Sequence, residues 1–170
     1  MERIGWQRTW VRLLTTTLTL LMMVMIFFFS AENGEQSNQT SGLIAEQVIP
    51  IIAPDYEQLP ETQQRGIYDR IQLFVRKCAH FTEYMILGAM IRCCLESWFG
   101  HVRKGKTISL FSGTVGALYA GTDEAHQLLV DGRGGQLFDV ALDSCGVVTG
   151  VILIAVILGH RKKRKLQEGP

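Results

Sequence analysis

His80, Glu83, Asp123, Glu124 and His126 are residue types that move protons or hold divalent metals, and they fall in two short stretches of an otherwise apolar chain. His80 and Glu83 stand three apart, as do Asp123 and His126, so each pair shares one face of a helix. One chemistry for such a set is acid-base work, with His126 as base oriented by Asp123. A second is a divalent metal held by His80, Glu83 and His126. The strong zinc pattern His-Glu-x-x-His is absent, and no serine sits at a nucleophile elbow. The sequence therefore requires no cofactor and leaves a divalent metal as an alternative.

Lys77, Tyr84, Gln127, Arg133, Asp139 and Asp143 form a second set, suited to holding a substrate. Arg133, flanked by Gly132, Gly134 and Gly135, offers a fork of donors and flexible backbone N–H groups to a phosphate, with Lys77 as a second positive charge. The two sets fall into three helical stripes. Lys77, His80, Glu83, Tyr84, Leu87 and Gly88 follow one another at three- and four-residue steps. Asp123, His126 and Gln127 share a face with Tyr119 one turn deeper, and Asp139, Asp143, Gly146 and Gly150 line a third, whose glycines would admit a neighbouring helix.

The elements that must position these stripes are apolar helices. Leu13 to Phe29 is 17 residues without a charge, about 26 Å as a helix and close to the hydrocarbon thickness of a bilayer. With the uncharged runs at 107–122 and 140–158, the latter broken only by Asp143, and the apolar middle of 79–99, the chain reads as an all-α polytopic membrane protein. It is one domain, 1–170, with four spans at about 11–29, 78–98, 107–127 and 138–158. The first run exceeds a signal peptide's apolar core, and Phe29-Ser30-Ala31 makes a poor cleavage site, so it reads as an uncleaved anchor. Segment 30–76 lies outside the membrane: its Ser-, Asn- and Gln-rich start reads as a loop, IAEQVIPII as an apolar stretch ended by Pro50 and Pro54, and the part after Pro60 as a helix that continues into span two.

Charge orients the spans. Eleven of the 17 basic residues sit in residues 1–12, in the link 100–106 or in the tail 160–170, which places both termini in the cytoplasm of a cell membrane. Trp6, Trp10 and Trp98 fall at that inner boundary. The RKKRK tail is explained by orientation, so nucleic acid is not an expected partner. Cys78, Cys93, Cys94 and Cys145 lack metal-knuckle spacing. Nothing sets the oligomeric state.

On this topology all three stripes meet at the outer leaflet. Charges in a bilayer cost roughly 2.5–3.5 kcal/mol each at its centre, so the stripes should face one another as a polar pocket open to the outside. The stretches KCAHFTEYMILG (77–88), YAGTDEAHQLLVDGR (119–133) and DVALDSCG (139–146) resemble the VanZ-like family of small bacterial membrane proteins, over almost the whole chain. The resemblance implies a cell-envelope setting and a link to resistance to the glycopeptide teicoplanin, which acts on cell-wall precursors at the outer face; Asp143 stands where members have Asn or Asp. It does not imply a reaction. Three functions remain open: binding or modifying a lipid headgroup or lipid-linked envelope precursor, metal-dependent or acid-base hydrolase or transferase chemistry, and a small transporter subunit. A purely structural polar packing network is the fourth reading.

Overall fold

Small residues, more than large ones, set how the helices of this chain pack. The computed structural model describes residues 2–31, 34–130 and 136–167, and its described residues contain α-helices and one 3-10 turn but no strand. The helices are α1 (Glu2–Ser30), α2 (Gly34–Ile52), α3 (Glu61–Phe99), α4 (Gly105–Gln127) and α5 (Leu137–Gln167). The longest, α3, starts directly after Pro60, which is compatible with a helix start but not its interior. Its 39 residues give a rod about 58 Å long, and every other helix packs on it.

The α3–α5 seam is built on three glycines. A methyl group on Gly88 would meet the backbone of Val147, one on Gly146 the carbonyl of Phe81, and one on Gly150 the backbone of Met85 and Ala89. The register 81 against 146 and 85 against 150 makes α3 and α5 parallel. Close backbone approach of this kind is how helices gain contact when burial from lipid supplies little driving force. Around the seam, Tyr84, Leu87 and Ile91 of α3 join Met22 and Ile26 of α1, Ala120 of α4, and Val147 and Val151 of α5 in one core.

The polar segment after α1, expected as a loop, is a helix as far as it is described. Its buried residues, Gly34, Ser37, Ser41, Gly42, Ala45 and Ile49, lie along one helical face and are nearly all small. This gives α2 a flat face that fits against α3: Tyr68 packs on Gly42, and Gln72 Nε2 donates to the Asn38 carbonyl at 2.6 Å. The Ser41 hydroxyl is satisfied within the helix, donating to the Ser37 carbonyl at 2.8 Å. Pro50, expected to end the segment, instead sits inside α2, exposed and within its last turn.

Of the four stretches expected to cross a membrane, two are long and apolar enough by themselves: Arg8–Ser30 in α1 and Leu137–Arg164 in α5, with mean hydropathies of 2.1 and 2.4. The other two are helical but do not qualify. Segment 78–98 carries Glu83, Arg92 and Glu96, and α4 dilutes its apolar residues with Ser, Thr, Gly and two carboxylates. Much of that polarity points inward, since Arg92, Ser112, Gly116, Asp123 and Glu124 are buried.

One end of the bundle is tied by a polar seam. Arg12 Nε donates to the Ser97 carbonyl at 3.0 Å and its guanidinium lies over the Trp98 ring. Arg92 donates to Glu96 Oε2 at 2.5 Å and to Ser109 Oγ of α4 at 3.2 Å. Arg92 and Glu96 form an i,i+4 pair whose members differ: the Arg92 side chain is 3% exposed and that of Glu96 34%. Removing Glu96 strands a buried guanidinium, whereas Glu96→Gln keeps an acceptor. We expect Glu96→Ala to cost roughly 2 kcal/mol and Glu96→Gln well under half of that, measured as the thermal midpoint of detergent-solubilised protein; equal midpoints for the two would show that Arg92 does not depend on this partner.

Candidate ligand cavity at the ends of three helices

At the other end of the bundle, three helices bring charged side chains to a common space. Lys77 of α3 pairs with Asp139, in the first turn of α5, and also lies 4.9 Å from the Phe138 ring centroid. This contact joins the two parallel helices above their glycine seam. Facing them, α4 ends at Gln127, and its Glu124 accepts the backbone N–H of Gln136 at 2.6 Å, which fixes the described residue that leads into α5.

Between these groups lies a part-open cavity of about 210 Å³. Its wall contains Arg76, Lys77 and His80 from α3, Glu124 and Gln127 from α4, and Gln136, Asp139 and Asp143 at the start of α5, with Leu73 and Leu142 as apolar lining. Asp143 is 2% exposed, and its Oδ1 has no hydrogen-bond partner.

Beside the cavity a buried linkage supports the wall. The Tyr84 hydroxyl donates to Asp123 Oδ2 at 2.9 Å and Gln127 Nε2 donates to the same oxygen at 3.3 Å. Asp123 Oδ1 is buried without a partner. Because Asp123 precedes Glu124, and Gln127 lines the cavity itself, this linkage sets how α4 presents its side chains.

The structure therefore unites some of the residues expected to act together and separates others. Lys77, His80, Glu124, Gln127, Asp139 and Asp143 line one cavity; Tyr84 and Asp123 lie next to it without lining it. Glu83, at 3.9 Å from His80 Nδ1, is also outside the lining. His126 turns toward α1 and stacks on Phe27 with ring centroids 4.5 Å apart, whereas Asp123 and Gln127 are buried and hydrogen-bonded to each other. Tyr119 likewise reaches α1, donating to the Met23 carbonyl at 2.6 Å. Arg133, with its flanking glycines, and Asp131 lie outside the described residues.

Among the described residues no three His, Cys, Asp or Glu side chains are arranged to hold a metal ion. Of His80, Glu83 and His126, the first two lie 3.9 Å apart, while His126 stacks on Phe27 of α1. The residues that sequence reasoning passed over are Arg76 and Gln136. Arg76 stands four before His80 and could have been found by extending that stripe one turn back; Gln136 acts through its backbone, which side-chain identity does not reveal.

The described residues form an all-α helical bundle with two helices long and apolar enough to cross a bilayer. The chain belongs to the VanZ/LLP1 family, whose model matches residues 15–158. No curated protein and no solved structure matches it. Family and apolar helices together indicate a membrane protein.

Proposed function

We propose that the protein binds a lipid headgroup or a lipid-linked envelope intermediate in the cavity formed by α3, α4 and α5. The observation that carries this reading is the lining itself: cations, carboxylates and amides from three helices surround one part-open space of about 210 Å³. Polar groups held on rigid elements around a concave space are the usual form of a specific small-ligand site. A packing network would leave no such space, whereas here Asp143 is among the residues lining it, and its buried Oδ1 has no hydrogen-bond partner.

In this reading α4 and the second half of α3 cross the bilayer beside α1 and α5. Supporting this, Leu110, Phe111 and Leu118 of α4 are 71%, 61% and 67% exposed, an apolar surface that water would penalise and lipid would not. The start of α1, the α3–α4 link and the basic end of α5 lie at the bundle end opposite the cavity, as the contacts Arg12–Ser97 and Arg92–Ser109 and the parallel run of α5 require. With those basic segments cytoplasmic, the cavity opens at the outer leaflet, where glycopeptides meet cell-wall precursors, and binding there would connect the protein to teicoplanin susceptibility.

The test is lipid retention by full-length protein released from nanodiscs, read by native mass spectrometry. We expect Lys77→Ala to weaken retention of the bound lipid about tenfold, the value of one charge-assisted hydrogen bond. Cells carrying the wild-type chain should also tolerate more teicoplanin than cells carrying Lys77→Ala at equal protein level. Unaltered retention by Lys77→Ala would remove the cavity from the account.

A further inference from the structure

The cavity is not electrically symmetric. Its two described cations, Arg76 and Lys77, face three carboxylates, Glu124, Asp139 and Asp143. Lys77 and Asp139 neutralise one another, and Glu124 already accepts the Gln136 N–H. At the buried side is the Asp143 carboxyl, 2% exposed with Oδ1 unpartnered. At the exposed side is Arg76, whose Nη1 donates to Asn38 Oδ1 of α2 at 3.1 Å in a solvent-facing contact. A buried carboxyl oxygen without a donor is costly relative to one that has a donor. The ligand feature that would satisfy it is a cationic donor carried inward, while Arg76 and the remaining N–H groups of Lys77 can take an anion nearer the opening.

Resting on the headgroup reading above, we propose that this cavity selects a ligand with a primary ammonium group seated on Asp143 beside an anionic group held by Arg76 and Lys77, the chemistry of a phosphoethanolamine headgroup. A quaternary ammonium fits less well. It has no N–H to give Asp143, and the described lining contains no Trp, Tyr or Phe ring to receive it by cation–π attraction. A headgroup with only hydroxyls would leave the carboxylate without a counter-charge.

The experiment is competition in nanodiscs of full-length protein, doped with equal amounts of phosphatidylethanolamine, phosphatidylcholine and phosphatidylglycerol and read by native mass spectrometry. Wild type is expected to retain phosphatidylethanolamine about tenfold over the other two, and Asp143→Asn to bring the three level. Soluble phosphoethanolamine competing as well as the lipid would identify a free small molecule as the ligand; competition by the lipid alone would identify the headgroup in its membrane. Should Asp143→Asn fail to accumulate, the wild-type protein alone still decides: retention should fall stepwise along the mono-, di- and trimethylated forms, each of which has one donor fewer. A flat methylation series, or a preference for phosphatidylethanolamine that survives Asp143→Asn, overturns the ammonium assignment and leaves headgroup binding standing. Retention of none of the three lipids, with Lys77→Ala indistinguishable from wild type, overturns both.

Discussion

A single methyl group on Gly150 is expected to abolish stable assembly of the bundle, or come close to it. Its Cβ would overlap the Met85 carbonyl, with the Ala89 backbone nitrogen behind it. Backbone inside a helix cannot rotate away as a side-chain tip can, so α5 would have to move off α3 as a unit, taking Val147 and Val151 out of the core. Overpacking ordinarily costs roughly 1–3 kcal/mol, and Gly150→Ala should lie at or above the upper end. Gly88→Ala and Gly146→Ala should behave similarly, because each also meets backbone across the seam. Gly116→Ala should be milder, since its obstacle is the Val147 side chain. Gly113→Ala and Gly159→Ala, with nothing near the added methyl, should be neutral or stabilising by up to about 1 kcal/mol through helix propensity. Thermal midpoints of the six proteins in one detergent give the comparison. If Gly150→Ala melts with Gly113→Ala, the α3–α5 seam is looser than described here.

The second large effect is expected at Tyr84. Its ring is fully buried, and Tyr84→Ala should cost about 3–5 kcal/mol, as for other large buried rings. Tyr84→Phe isolates the hydroxyl. The ring stays packed while Asp123 loses the donor to Oδ2, keeps only the 3.3 Å contact from Gln127, and already has Oδ1 unpartnered. We expect roughly 1.5–3 kcal/mol of destabilisation from that change. Combining Tyr84→Phe with Asp123→Asn should recover part of it, because the neutral amide is cheaper to bury than a carboxylate short of donors. Additive effects in this double-mutant cycle would mean that the two groups do not depend on each other. Gln127 lines the cavity and Asp123 adjoins Glu124, so Tyr84→Phe should also weaken lipid retention even where the protein folds.

The polar stripes show how far residue order reaches. Steps of three and four place Lys77, His80, Tyr84 and Gly88 on one face of a helix, and Asp139, Asp143, Gly146 and Gly150 on one face of another, because the α-helix has a fixed period. That the glycines would admit a neighbour follows from their missing Cβ, and α3 does approach there. The segment at 34–42 marks the limit. Its Ser, Asn and Gln residues suit a loop locally, and only the flat face they present to Tyr68 and Gln72 favours the helix.

His126 and Asp143 divide the two sources of information most sharply. Sequence by itself determined the all-α class, the apolar helices, the family and the faces on which the charged residues stand, because these depend on composition and on the local period of the helix. Tertiary structure alone decided which side chains on those faces meet. The rotation of α4 takes His126 to Phe27 and away from the cavity, although it is only one residue from Gln127, which lines it. The close approach of α3 and α5 places Asp143 against the cavity with one oxygen unsatisfied. Helix rotation and separation are set by contacts between residues far apart in the chain, such as Gly150 with Met85 and Lys77 with Asp139, and no local periodicity encodes them.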